Sequence, residues 1–299
     1  MSRSALERDR ERTGRKLDRE AGRQITGLSA GLWALLSDAL SRMETDPAGR
    51  LRFTVRNITT IRQVSFQVRS YNQGAGASFL RWAFTGLRRI FDLNRRYFRE
   101  AVPEVPETLD DRVRRLLLLR YGYNPDTGMI DADGYLAANV RASSQAQVVA
   151  ERMNKAISAR QNLRDFSRAF RRDFSSPGSP LSLDYHYNRF VRDLFQEFDA
   201  EAQLQYAQEL GLDHAIYSGT IKNNTRCFCR RRLNRIYTTD LIREWNDHTW
   251  QGKKPGVDVR IARGGYNCRH IFSWISEETA EQLKQRRNQE IDSYNQVIC

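Results

Sequence analysis

Two short cysteine-bearing motifs carry the strongest chemical possibilities in this 299-residue chain: Cys227-Phe-Cys229 and Cys268-Arg-His270. Two thiols from one and a thiol plus an imidazole from the other are ligand types that suit tetrahedral zinc. Zinc knuckles generally place two residues between paired cysteines, so the spacing is unusual. The first motif follows an expected strand, and on extended backbone residues i and i+2 point to opposite faces, which argues against Cys227 and Cys229 sharing one metal. A disulfide and small buried thiols beside a polar histidine are the other readings of the same residues.

Catalysis needs more than these types. A nucleophilic thiol requires a base in reach, for which Cys229 with His248 or His270 is the available combination. A metal-dependent nuclease of the histidine–asparagine kind would draw on Asn267, His270 and His248, whose spacing matches no known motif of that chemistry. There is no phosphate-binding loop, no dinucleotide fingerprint and no HExxH zinc-protease motif. The expectation is that the chain is not an enzyme. Around the first motif, Lys222, Arg226, Arg230, Arg231, Arg232 and Arg235 follow one another without an intervening acid. Such a run faces water, phosphate or acidic protein, and it is the best local case for a polyanionic partner.

These residues belong to a dense segment, Tyr217 to Ile275, which holds three of the four cysteines, two of the four histidines and three of the five tryptophans. The elements that must position it are mostly helical. Residues 3 to 24 alternate charges of both signs, as in a helix without a core of its own or a disordered arm ordered by a partner. From Ile25 an amphipathic pattern (Leu28, Leu32, Leu35, Leu36, Leu40, Met43) runs to Asp46-Pro47. Leu51 to Tyr71 fits either strand or helix and is read as helix, with Asn72 to Ser78 as a flexible break. Leu80, Phe84, Leu87, Phe91 and Tyr97 then share a helical face that Pro103 and Pro106 end. The interleaved aromatic residues, Trp82 and Phe98 included, read as core rather than as a base-stacking platform.

Leu109 to Leu119 is a further helix, followed by turns at Asn124-Pro125, Thr127-Gly128 and Asp133-Gly134. The spacing of Asp126, Asp131 and Asp133 does not fit a calcium loop. Ser144 to Phe174 reads as helix, Ser175 to Pro180 as a break, and Tyr185 to Leu210 as a long amphipathic helix built on Phe190, Leu194, Phe198 and Leu204, capped by Gly211. A short strand enters the module, a second strand (Ile271 to Ile275) leaves it, and Glu277 to Asn295 is a polar helix. The fold class expected is therefore mainly α: multi-helical N-terminal and middle regions with a small mixed α/β C-terminal module. The expected spans are 1–107, 108–210, 211–275 and 276–299.

The net charge of +13, carried mostly by arginine, bears on partners and not on fold. The first residues are charged throughout, so no secretion signal is expected, and no apolar run reaches transmembrane length. The cysteines form no extracellular disulfide framework, which suits a reducing cytoplasm.

The order YGYNPDTGMIDADGYL, then YSGTIKNNTRCFC, IYTTDLIREW, TWQGK and RGGYNCRH resembles the phage head-morphogenesis family, the minor capsid proteins similar to the Mu F protein. The likeness covers roughly residues 110 to 275. Thr225, Arg226, Phe228, Cys229, Trp245, Trp250, Gly252, Lys253, Gly264, Gly265, Cys268, Arg269 and His270 fall on the family pattern. Cys227 departs from it, and the aliphatic-proline ending is replaced by Ser273-Trp274-Ile275. The resemblance implies a structural component of the virion capsid, made in the host cytoplasm. Its expected partners are the portal or major capsid protein and packaged double-stranded DNA. It would act in head assembly and in DNA packaging or ejection. The competing classes are a DNA-processing enzyme and a nonspecific DNA-binding module. Within this reading Cys229, Cys268 and His270 close a compact fold, by packing or by a metal such as zinc.

Overall fold

A computed structural model describes residues 5–102, 104–127, 129–131, 143–176 and 178–288. Among these residues the chain is mainly α-helical, with one small antiparallel sheet near its C-terminal end. The elements are α1 (Ala5–Ser41), α2 (Val55–Ala101), α3 (Glu107–Arg120), α4 (Ser143–Ser158), α5 (Leu163–Ser175) and α6 (Leu183–Glu209). They continue with β1 (His214–Ser218), α7 (Cys227–Arg230), β2 (Arg235–Thr238), α8 (Thr239–Glu244), α9 (Val259–Ala262), β3 (Ile271–Ile275) and α10 (Glu277–Asn288). The chain divides into two compact units: Met1–Lys16, Gly86–Arg120 and Asp193–Cys299 form one, Leu17–Thr85 and Tyr121–Arg192 the other.

The second unit is helical. Ile25, Leu32 and Leu36 of α1 and Ile61, Val64 and Val68 of α2 are buried at helical spacing. The strand-like alternation after Leu51 is incidental, since Phe53, Val55 and Phe66 point outward. Asn57 is fully buried and clips the turn ahead of α2, accepting from the Glu44 amide and donating to the Glu44 and Arg52 carbonyls. Trp33 packs against Phe170 and Phe174 of α5.

Two expectations are corrected in this unit. Asn72 to Ser78 is not a break: α2 runs through it, with Ala75 buried, Tyr71 donating to the Leu28 carbonyl and the Asn72 amide donating to Gln145. Packing here outweighs the weak helix preference of glycine. Conversely, Ser144 to Phe174 is not one helix. Arg160 takes a left-handed conformation (φ 48°), and Asn162 caps α5 by accepting from the Arg164 and Asp165 amides. Asn124 shapes the turn near Tyr123 in the same way, through the Asp126 and Thr127 amides. The turn expected at Asp133-Gly134 and the end of the helix expected to reach Asn295 lie outside the described residues, as does Pro103.

In the first unit α2, α3 and α6 meet around Phe98, stacked on Tyr206 at 4.7 Å. The Tyr206 hydroxyl donates to Asp110, which also pairs with Arg99. Burial first and then its bond to this carboxylate push the Tyr206 phenol well above its ordinary range. Gly211 ends α6 in a left-handed conformation (φ 64°), its amide bonding back to the Gln208 carbonyl and the Leu212 amide to Ala207.

The sheet has the order β2-β1-β3, antiparallel throughout, with Tyr217 opposite Phe272 and Ile216 opposite both Ile236 and Ser273. Tyr97 of α2 donates to the Trp274 carbonyl at 3.0 Å, anchoring β3. The charged start of the chain is helical from Ala5 and has an interior face, because Leu6 and Arg10 are buried. Arg10 makes a two-pronged bond to Asp199 of α6. None of the helices among the described residues is long and apolar enough to cross a membrane.

Candidate metal centre in the C-terminal module

Alternation along β1 turns Ala215 and Tyr217 inward, and Tyr217 is completely buried. Its hydroxyl lies 3.4 Å from Cys229 Sγ and 3.5 Å from Cys268 Sγ. Cys268 Sγ is 3.3 Å from His270 Nδ1. Cys229, Cys268 and His270 are all buried, and their potential ligand atoms lie within 4.8 Å of one another. Among the described residues this is the one cluster of three or more Cys, His, Asp or Glu side chains placed to hold a metal ion.

The local backbone explains how the residues meet. Cys227-Phe-Cys229 is a single turn of helix (α7) and not extended chain, which corrects the expectation from sequence. The separation of the two cysteines survives on different geometry: about 200° of helical rotation leaves Cys227 exposed and Cys229 buried. Cys268 and His270 lie two residues apart just before β3, at the exit of a turn in which Asn267 is left-handed (φ 57°). Gly264 is required by proximity: a Cβ there would fall 2.4 Å from Cys229 Sγ and 2.8 Å from Cys268 Sγ. Gly265 (φ 92°) is required twice over, since a Cβ would also fall 1.9 Å from the Gly252 carbonyl oxygen. Gly264→Ala is therefore expected to destabilise the chain by about 1–3 kcal/mol through overpacking, read as a lowered midpoint in thermal unfolding.

The two thiols are electrostatically unequal. Hydrogen bonding with the neighbouring Cys268, then burial, raises the Cys229 thiol. The same bond, supported by His270, pulls Cys268 well down against the opposing effect of burial. Burial, then the neighbouring sulfurs, push the Tyr217 phenol up. Two thiols side by side, with an imidazole and a phenol, form a donor set that, once the thiols are deprotonated, suits a soft or borderline cation. The buried His270 Nε2 has no partner among the described residues.

The remaining motif residues hold this centre in place. Phe228 stacks on Trp250 at 3.8 Å and meets Trp245 edge-on. Trp250 donates through its indole nitrogen to the Gly264 carbonyl. Trp245 also meets Tyr217 and Tyr237 edge-on. Arg226 donates to the Tyr266 carbonyl at 2.7 Å, its guanidinium lying against Gly252 where no side chain would fit. Lys253 donates to the His248 and Asn246 carbonyls. The Thr225 hydroxyl accepts from the Lys222 amide. Arg269 is exposed.

The six cations of the basic run separate into two groups. Arg230 donates to the Thr225, Lys222 and Asn223 carbonyls. Arg232 lies 4.0 Å from the Phe228 ring centroid and donates to the Phe228 carbonyl. With Arg226 these are fastened to the module itself, whereas Lys222, Arg231 and Arg235 are exposed. His248 is exposed, with Nδ1 facing Arg232, and Asn267 is exposed with its amide donating to Asp193.

Sequence reasoning passed over several residues that matter here. Tyr217 could have been found from the inward register of β1. Asp199, Arg10 and Arg263 could not: Arg263 donates to Asp199 at 2.7 Å and to the His270 carbonyl at 3.1 Å, and nothing in a run of arginines singles it out. Lys254, buried and paired with Asp193 and Glu197, is a similar case. Comparison with protein-family models, curated proteins and solved structures finds no match to this chain.

Proposed function

We propose that this chain is a minor structural protein of a tailed-phage head, working near the portal or inner capsid surface in head assembly and DNA packaging or delivery, and that it is not an enzyme. The observation that carries the reading is the fate of the motif residues. Arg226, Phe228, Cys229, Trp245, Trp250, Gly252, Lys253, Gly264, Gly265, Cys268 and His270, on which the resemblance to head-morphogenesis proteins rests, converge on one interlocked module. Apart from the unpartnered His270 Nε2, their hydrogen-bonding and packing capacity is spent on carbonyls, rings, one another and close backbone approaches within it. Catalytic motifs instead aim polar groups at a cleft that a substrate can enter. A module built this way presents a fixed shape to other proteins.

The exposed cations Lys222, Arg231 and Arg235 supply a surface for packaged DNA or an acidic partner. Replacing all three by alanine should flatten the salt dependence of duplex binding by about 0.9 in log–log slope for each phosphate that is no longer neutralised. Neutralising the inward-held Arg230 and Arg232 should act first on folding. The test of the proposal is co-expression with the portal and major capsid proteins of the same phage, followed by sedimentation. The chain should travel with portal or heads, and should leave duplex DNA uncut in magnesium or manganese. Cutting abolished by Cys229→Ala or His270→Ala would replace this reading with the enzyme.

A further inference from the structure

We infer that Cys229, Cys268 and His270 bind one structural zinc ion, with Tyr217 at the fourth corner of its coordination sphere. The site is assembled from three separate segments: α7 gives Cys229, the turn into β3 gives Cys268 and His270, and β1 gives Tyr217. With Zn–S near 2.3 Å and Zn–N or Zn–O near 2.0–2.2 Å, neighbouring corners of a tetrahedron lie roughly 3.3–3.8 Å apart. The separations here are 3.4 Å and 3.5 Å from the Tyr217 hydroxyl to the two sulfurs and 3.3 Å from Cys268 Sγ to His270 Nδ1. Gly264 is the device that keeps the sulfurs close, because any side chain there would displace them.

Charge favours zinc over a bare cluster. Two thiolates and a neutral imidazole neutralise a divalent ion, leaving no net charge in a site where every member is buried. Binding exchanges the ion's water ligands for two Zn–S bonds, one bond to the His270 nitrogen and one to the Tyr217 oxygen, and sends the two thiol protons to solvent. Without an ion the same side chains satisfy one another only through sulfur, a weak donor and a weak acceptor. The surroundings support the ligands. Gly219 lies against the His270 ring so closely that a Cβ would sit 2.3 Å from Cδ2, and Arg263 holds the His270 carbonyl. Zinc binding is thus a fastening that ties the first and last strands of the module to α7. Such a site would hold the module together whether or not the chain serves in a phage head.

The test is the metal content of the full-length chain, purified without chelator after growth with added zinc. Mass-spectrometric elemental analysis should find about one zinc per chain. It should fall to near zero in Cys229→Ser and Cys268→Ser and stay at the wild-type level in Cys227→Ser, whose thiol is exposed. Because the ligand variants can fail to fold, the wild-type chain carries two further readouts. Cobalt(II) exchanged into it should give tetrahedral visible bands with sulfur-to-metal charge transfer, and Tyr217→Phe should shift those visible bands while keeping the charge transfer. A chelator should lower the unfolding midpoint and open Cys229 and Cys268 to a thiol reagent. A folded, zinc-free chain indifferent to chelator and to added zinc would overturn the inference, as would a Cys229–Cys268 disulfide in the folded chain. An unchanged cobalt spectrum in Tyr217→Phe would remove Tyr217 from the fourth corner.

Discussion

Asp199→Ala is expected to destabilise the chain by about 3–5 kcal/mol, the usual consequence of removing one partner from a buried ion pair. Asp199 stands between two arginines whose side chains are only 2% and 3% exposed: Arg10 from the first turns of α1 and Arg263 from the turn ahead of the candidate metal centre. Asn94 of α2 donates to the same carboxylate. Without it, two guanidiniums remain buried with no compensating charge. Urea unfolding followed by tryptophan fluorescence reads the loss. The carboxylate also makes stability depend on pH. Burial alone would raise Asp199, but Arg10, Arg263 and Asn94 outweigh it and hold the group below the ordinary carboxylate range. Its contribution is therefore fully present above the unfolded value, about pH 4, and is lost as pH falls through the lower folded value. Asp199→Ala should accordingly unfold at a midpoint that depends less on pH in the acid range than the wild type does.

Phe228→Ala is expected to cost about 3–5 kcal/mol, the range for emptying a buried aromatic site. Its ring is buried, stacks on Trp250, meets Trp245 edge-on and lies under the Arg232 guanidinium. The substitution removes the central plate between α7 and the segment that carries Trp250. Calorimetric unfolding should show a large loss of stability. Cys227→Ala, one residue away on the exposed side of the same turn, should stay within about 0.5 kcal/mol of wild type. If both variants unfolded alike, α7 would not be packed in this way.

The helical character of the chain was legible because long amphipathic stretches carry a periodic signal: Ile25, Leu32, Leu36 and Leu40 are buried at the expected spacing. The strands β1 and β3 fall where short strands were expected, although β3 buries Phe272, Ser273 and Trp274 in succession and carries no alternation. Shorter elements were not legible. α7 is one turn long, too short for any periodicity, so its geometry came from tertiary packing around Phe228. The glycines between Asn72 and Ser78 suggested a break that tertiary bonds from Tyr71 and Asn72 abolish. The role of Arg10 was hidden because its partner lies 189 residues away and its neighbours in sequence are equally charged. At the candidate metal centre, the motifs pointed to Cys229, Cys268, His270 and Gly264, and the distances show why position 264 is glycine. That Tyr217 joins them emerged from the structure.

The central claim is that the chain is built into phage heads, and particle composition tests it most directly. On that proposal, quantitative mass spectrometry of tailed-phage heads purified from cells that produce this chain should find the protein at low copy relative to the major capsid protein. It should persist through gradient purification alongside the portal. Heads that contain portal and capsid protein but lack this chain, while it accumulates free in the infected cell, would contradict the account.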